Sequence, residues 1–245
     1  MFLSENAPKM LGEWLRIQGT VRFLDIAHKY SRSQVPEHKQ MVYSCLLLLN
    51  RCMVLSIEVR AILEQENAIE TFLTQFECTD EEDTRTLVSR LISILCSGGN
   101  EVCQSQLREQ QGIGLLIGVV GNYAEHRRTQ IGRIAGLHLN AVNESDDVSG
   151  SAEDPDGGSV SILMVAILDC LQHSIVGNKK SEVVFATEEG IDALLNLLEV
   201  SQLIARVQVL RLLSDILENK KMLSFLNAWR SPKTMRAGTC VYVYV

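Results

Sequence analysis

The clearest suggestion of chemistry in this sequence is a run of glycines, Gly112, Gly114 and Gly118. Glycine-rich turns can hold the phosphates of a dinucleotide because they let the backbone approach the ligand closely. The spacing here is G-x-G-x-x-x-G, however, and no strand pattern precedes it, so it does not fit the dinucleotide motif. A glycine that begins a helix beside a tightly packed neighbour is the better interpretation. We therefore expect no cofactor here.

The other residue types that carry catalysis are present without the spacing that catalysis needs. Metal sites need clustered ligands, and the histidines show no such spacing with one another or with cysteine; they are His28, His38, His126, His138 and His173. The G-x-S-x-G, C-x-x-C, H-E-x-x-H and G-K-[ST] motifs do not occur. No two carboxylates share an apolar helix face for acid–base work. The sequence predicts a protein that is not an enzyme, with no catalytic residues, metal, cofactor or small-molecule substrate.

Two small groups of charged residues remain as candidate partner contacts. Arg127, Arg128 and Arg133 form a basic patch, and Arg211 and Asp215 occupy a predicted helix near the end of the chain. The basic patch could bind an acidic stretch of its own chain, bind an acidic partner, or simply face water, which is the ordinary state of such a helix surface.

The acidic residues are concentrated in one segment, residues 143–159. It holds six acidic and no basic side chains within a run rich in Ser and Gly. It lacks the apolar residues that would offset the entropy of ordering, so we expect a flexible acidic loop. A calcium site is the alternative, but the spacing of an EF-hand loop and its closing Glu are missing.

Composition limits the class of protein further. The chain has 245 residues, of which 46% are apolar and 5% aromatic, and its net charge is −7. A negative chain is a poor ligand for nucleic acid, which needs a positive surface. Seven cysteines and no signal-peptide pattern favour reduced thiols in the cytoplasm. The most apolar run, residues 41–57, is interrupted by Asn50 and Arg51 and predicts a buried helix, not a membrane insertion.

An internal repeat organises the whole chain. Residues 99–120 align without a gap to residues 177–198, so that Gly112 coincides with Gly190, and Ala68 begins a third copy. The spacing from Ala68 to Gly112 is 44 residues, and the 78 residues from Gly112 to Gly190 reduce to 41 once an insertion of 37 is removed. Helices with a period in the low forties are typical of armadillo and HEAT repeats.

The sequence therefore predicts an all-α, armadillo/HEAT-like α-solenoid of three to four repeats over residues 1–230. The insertion spans about 122–158 and is expected to be flexible. In the last unit Gly190 begins one helix, and residues 207–217 carry the apolar spacing of a second helix. We expect the second helix to end at Asn219, because asparagine tolerates the left-handed conformation of a helix end. A short third helix follows. Stacked helical repeats present long surfaces that bind other proteins.

Particular residues of the last repeats resemble a known family. They are Ala166 to Leu171, Glu188 to Ile191, Asn219 to Lys221 and Leu226 to Arg230. These residues are similar to the armadillo-like region of the cilia- and flagella-associated protein 69 family. The resemblance implies a non-enzymatic scaffold of the ciliary and flagellar axoneme, associated with the central apparatus, needed for assembly and motility, and bound to other axonemal proteins. A soluble armadillo-type adaptor that binds cargo or signalling proteins is the alternative, and it would need repeated Asn and Trp along a groove.

The last 15 residues, 231–245, depart from this pattern. Alternating Val and Tyr at 241–245 reads as a strand without a partner. We expect an atypical, disordered tail and a truncated form of the family's repeat region.

Overall fold

A computed structural model describes residue 12, residues 18–142 and residues 161–229, and the side chains of residues 134–142 are outside the description. Within this part of the chain the secondary structure is entirely helical, with twelve α-helices and two short 3-10 turns. The all-α helical-repeat class that the sequence predicts is confirmed.

The helices follow one another in four sets of three. The first set is α1 (Gly19–Tyr30), α2 (Pro36–Leu55) and α3 (Ile57–Gln65), and the second is α4 (Ala68–Cys78), α5 (Glu82–Cys96) and α6 (Glu101–Glu109). The third is α7 (Gly112–Val142), α8 (Ile162–Ile175) and α9 (Lys179–Thr187), and the fourth is α10 (Gly190–Val200), α11 (Leu203–Leu217) and α12 (Leu223–Ala228). The 3-10 turns are Ser97–Gly99 and Lys220–Met222.

The first helix of every set begins in the same way. A residue in the left-handed region comes immediately before it, at Gln18 (φ 54°), Asn67 (φ 50°), Gln111 (φ 59°) and Glu189 (φ 62°). Three of these helix starts, Ala68, Gly112 and Gly190, are the positions that coincide in the sequence repeat, and the fourth, Gly19, begins the first set. The left-handed conformation costs a non-glycine residue free energy. Its recurrence before these four helices shows that the repeat seen in the sequence is also a repeat in the structure.

The glycines that begin α7 and α10 are required by close packing. A Cβ at Gly190 would overlap the ring of Phe185, and one at Gly112 would overlap the side chain of Leu107. Gly112 thus begins a helix beside a tightly packed neighbour, as the sequence predicts. Each glycine therefore lets its helix pack closely against the last helix of the preceding set, and no strand precedes Gly112 in the described part of the chain.

An asparagine caps the third helix of the second set and of the third set, and another caps the 3-10 turn before α12. Asn100 accepts hydrogen bonds from the main-chain N–H groups of Val102 and Cys103 at the start of α6, and Asn178 does the same for α9. Asn219 differs from the expectation that it ends a helix in the left-handed conformation. Its backbone is extended (φ −80°, ψ 101°), and its side chain accepts from Lys221 N–H in the following turn.

These capping asparagines also link one repeat to the previous one. The Nδ2 group of Asn100 donates to Glu64 Oε2 at 2.7 Å, and that of Asn178 donates to Gln104 Oε1 at 2.9 Å. In the last repeat Asn219 Nδ2 donates to Glu182 Oε2 at 2.7 Å. One side chain thus satisfies the exposed N–H groups of a helix end and fixes the register between successive repeats.

By contacts the chain divides into two units, Met1–Ile113 with Ile162–Ser181, and Gly114–Ser161 with Glu182–Val245. In the first unit α5 is the central helix: it packs against α2, α4 and, most extensively, α8. Phe72, Phe76 and Leu91 are among its fully buried side chains. In the second unit α10 packs against α11 and α12, and Phe185 is fully buried.

The predicted insertion begins inside a helix. Residues 122–142 continue α7, which is why this helix is far longer than α1, α4 and α10. The acidic segment 143–159 and the tail 231–245 lie outside the described residues. Their flexibility therefore stays a prediction. No helix in the described ranges combines the length and apolar character needed to cross a membrane.

Candidate interaction surface

The basic patch is divided by the structure into residues with different roles. Arg128 turns toward α10, where its Nη2 donates to Asn196 Oδ1 at 3.1 Å and lies 3.4 Å from Glu199 Oε2. Arg127 Nη1 donates to Gln130 Oε1 at 3.1 Å on its own helix, and Arg133 is exposed. Arg128 therefore connects α7 to α10, whereas Arg127 and Arg133 remain on the outer surface of α7.

The two candidates on α11 lie close together on one helix. Arg211 is exposed and Asp215 is half-buried, and their separation of four residues places them on the same side of α11. Neither lies with the α7 arginines in a single described pocket. The five predicted contact residues thus lie on two helices, three on α7 and two on α11.

A groove that the sequence analysis did not anticipate runs between α7 and α10. Its volume is about 840 Å³. Gly114, Gly118 and Gly121 line it from α7, and a Cβ at Gly118 or Gly121 would have no atom within 4 Å. The available signal was the spacing of these glycines, which recur at i, i+4 and i+7 and so share one face of a helix.

The groove is acidic. Its lining includes four carboxylates, from Glu125, Glu188, Glu189 and Asp192, and one guanidinium, from Arg128. That guanidinium already pairs with Glu199. Burial raises the pKa of the Asp192 carboxyl, and the negative charge of Glu189 raises it further. The groove is thus a place where like charges gather and where cations are favoured.

A second polar cluster brings together a serine, an aspartate and a histidine. Ser93 Oγ donates to Asp169 Oδ2 at 2.6 Å and lies 3.1 Å from His173 Nδ1. The same Nδ1 lies 2.9 Å from the main-chain oxygen of Asp169, to which an Nδ1–H group donates. No local motif joins residues 80 positions apart, so nothing in the sequence indicated this cluster.

The geometry of this cluster is that of a helix contact. A nucleophilic serine needs a base that accepts its proton, whereas the Ser93 hydroxyl donates to a carboxylate and the His173 nitrogen is occupied by a carbonyl. Ser93 is also only 4% exposed, so a substrate has no access to its oxygen. The cluster joins α5 to α8 and satisfies polar groups at their contact.

The buried cysteines give no metal site. Burial raises the pKa of Cys96 and Cys103 to about 12 and that of Cys170 well above its ordinary value, so these thiols stay protonated. In the described part of the chain, no group of three or more His, Cys, Asp and Glu side chains is arranged to hold a metal ion.

The fold and these surfaces define an armadillo-type helical-repeat protein with a candidate interaction surface on α7, α10 and α11. Residues 156–243 match the family model of the cilia- and flagella-associated protein 69 ARM repeat, so this part of the chain is similar to the armadillo repeat of that family. The match covers less than half of the chain and extends to residue 243, through most of the tail that the sequence analysis had set apart from the family. No curated protein matches the chain.

Proposed function

We propose that this protein is a non-enzymatic protein–protein interaction scaffold of cilia and flagella. The observation that carries the proposal is the match of residues 156–243 to the ARM repeat of cilia- and flagella-associated protein 69. The four sets of three helices support it, because stacked helical repeats expose a large surface relative to their core and use it to bind proteins.

The finer part of the proposal concerns where the scaffold acts. We place it in the axoneme, at the central apparatus, where it supports assembly and motility of the cilium or sperm flagellum. Its partners in this proposal are axonemal proteins, with no role for nucleic acid, small-molecule substrate or cofactor. Chemistry supports a scaffold over an enzyme, since the Ser93 cluster holds its hydroxyl and imidazole in bonds that oppose nucleophilic attack.

The contact residues of the proposal are those that present charge outward. Arg133 and Arg211 are exposed, and Arg127 and Asp215 are half-buried. Arg128 belongs to the same patch, but its pairing with Glu199 makes it a residue that positions α7 on α10. Surface charges of this kind guide encounter and select partners more than they supply affinity.

Proximity labelling in a ciliated cell tests the proposal. The full chain carries the labelling enzyme, and enrichment of central-apparatus proteins over a cytoplasmic control is the expected result. Substitution of Arg127, Arg133 and Arg211 by Gln should reduce that enrichment, whereas substitution of the exposed residues Arg22, Arg51 and Arg90 removes the same charge and should not. The same chain without residues 231–245 shows whether the tail contributes.

The outcomes separate the two classes of function. A set of soluble transport or signalling proteins would replace the ciliary scaffold with the adaptor alternative. A set dominated by chaperones would contradict both, because it would mean that the chain does not hold its fold in the cell.

A further inference from the structure

We propose that the groove between α7 and α10 binds a lysine- or arginine-rich segment of a partner protein. This inference deepens the proposed scaffold function and rests on it, because it names the surface and the chemistry of one partner.

The shape of the groove is the first observation. The α7 side is formed by Gly114, Gly118 and Gly121, and only the first of them is covered, by the carboxylate of Glu188. At Gly118 and Gly121 the space above the helix backbone is open. An incoming segment can therefore lie close to α7 and reach the carboxylates on both sides of the groove.

Charge complementarity identifies the occupant. Glu125 lies on the α7 side, and Glu188, Glu189 and Asp192 lie on the other. None of these four carboxylates is within 4 Å of a basic group in the described part of the chain, where the ion pairs are Arg85 with Asp80, Arg128 with Glu199 and His173 with Asp169. A cationic side chain placed between them meets negative charge from both walls.

The free groove carries a cost that such a partner removes. Asp192 is partly desolvated and lies beside the charge of Glu189, and both effects act against its ionised form. A lysine or arginine in the groove opposes both effects, and its long aliphatic stem can follow the glycine surface while its charged end meets the carboxylates. An acidic or neutral segment would gain neither interaction.

Direct binding to the full chain tests the inference. The probe is a fluorescein-labelled peptide of alternating Lys and Ala, and a peptide of alternating Glu and Ala is its control. Fluorescence anisotropy at low salt should show saturable binding of the lysine peptide only, with affinity that decreases as salt screens the charges. In the variant Glu188→Gln/Glu189→Gln/Asp192→Asn the affinity should fall by about tenfold or more.

Two further variants separate the groove from the general acidity of the chain. Glu66→Gln/Glu77→Gln/Glu109→Gln removes the same charge from exposed positions and should bind like the unchanged protein. Gly121→Trp fills the open space without altering charge and should weaken binding about as much as the groove triple variant. An equal loss of peptide affinity in both triple variants would overturn the inference, and so would full binding by Gly121→Trp. Displacement of the peptide by millimolar Ca²⁺, but not by NaCl of equal ionic strength, would also overturn it.

Failure of this experiment is distinguishable from failure of the scaffold proposal. Proximity labelling can still return central-apparatus proteins when the lysine peptide does not bind, and the partner would then use another surface, such as that of Arg211. Conversely, peptide binding with labelling of cytoplasmic proteins alone would retain the groove and reject the ciliary site.

Discussion

At the scale of single residues, the repeat is maintained by a few positions where only one side-chain size fits. Gly190 and Gly118 illustrate the contrast, because both are glycines in helices of one unit. A Cβ at Gly190 would overlap the ring of Phe185, whereas a Cβ at Gly118 would meet nothing within 4 Å. The same substitution therefore has opposite consequences at the two positions.

We expect Gly190→Ala to lower the free energy of unfolding by about 1–3 kcal/mol, since a crowded core must shift to admit the methyl group. Gly118→Ala should raise it by about 0.5–1 kcal/mol, because alanine favours the helix over glycine. Urea unfolding followed by circular dichroism measures both. Equal effects of the two substitutions would contradict the packing role assigned to Phe185.

The charge of Asp192 is a second residue-scale feature. Its carboxyl has a raised pKa because of burial and of Glu189, so the folded state favours the protonated form more than the unfolded state does. Ionisation therefore reduces stability as pH rises through the carboxyl range, and the loss persists at neutral pH. Asp192→Asn should stabilise the protein at pH 7 by less than about 1 kcal/mol, because solvent screens a half-buried group.

The measurement is thermal unfolding at pH 7 and at pH 3.5. The stabilisation should be smaller at pH 3.5, where the carboxyl of the unchanged protein is largely protonated. Glu77→Gln, at an exposed position, is the matched control and should leave the midpoint nearly unchanged at both values. A stabilisation that is independent of pH would point to an effect other than charge.

Thiol reactivity follows from the same physics. The thiolate is the reactive form, and burial raises the pKa of Cys96 and Cys103 to about 12. In a Cys240→Ser background at pH 8, we expect the partly buried Cys78 to react with a maleimide well before Cys96, Cys103 or Cys170. Mass spectrometry after proteolysis identifies the modified positions. Early modification of Cys96 in the folded protein would contradict its burial.

At the scale of helices, the capping asparagines perform two tasks that can be separated. Asn178 accepts from the N–H groups of Lys180 and Ser181 through Oδ1 and donates to Gln104 through Nδ2. An aspartate keeps the acceptors and loses the donor, whereas alanine loses both. The link between repeats can thus be measured apart from the cap.

We expect Asn178→Ala to lower the free energy of unfolding by about 1–2 kcal/mol, which is typical for the loss of a helix cap. Asn178→Asp should cost less, because its carboxylate still caps α9 and is favoured at a helix N-terminus; the remaining loss reports the bond to Gln104. Chemical denaturation of both variants, of Gln104→Ala and of the double variant Asn178→Ala/Gln104→Ala gives the coupling between the two side chains. If the aspartate and alanine variants were equally unstable, the link between repeats would outweigh the cap.

The sequence determined these elements unevenly. It predicted the helix starts at Ala68, Gly112 and Gly190 because the apolar spacing repeats there. It misjudged Asn219, since an asparagine is compatible with both a left-handed helix end and an extended cap, and only the neighbouring N–H of Lys221 decides between them. It also treated the start of the insertion as separate from the helix that precedes it, because its many polar residues conceal a continued helix.

At the scale of the whole molecule, the repeat period makes the insertion an addition to an ordinary unit. Helices α1, α4 and α10 are connected to the next helix by two to five residues. Removal of residues 123–159 leaves Val160 and Ser161 as a connection of similar length. The loss of a long loop changes the entropy of the unfolded chain only slowly with length.

We therefore expect the chain without residues 123–159 to unfold cooperatively, although it loses Arg128 and its contact with Glu199. Arg128→Ala in the full chain is the matched control for that loss. Calorimetry should give similar midpoints for the deletion and for Arg128→Ala, lower than that of the unchanged protein. A deletion variant without a cooperative transition would mean that the long α7 is part of the repeat itself.

The sequence by itself determined the helical-repeat class and its period, because the burial of one apolar face per helix imposes a spacing that is visible along the chain. The three-dimensional arrangement alone decided which polar side chains meet. Ser93 Oγ and His173 Nδ1, which lie 3.1 Å apart, and Glu125 and Asp192, which line the same groove, belong to residues far apart in sequence, and no local pattern encodes such an arrangement. The arginines show the same division: their charge was evident from the sequence, but the pairing of Arg128 with Glu199 was decided by the packing of α7 on α10.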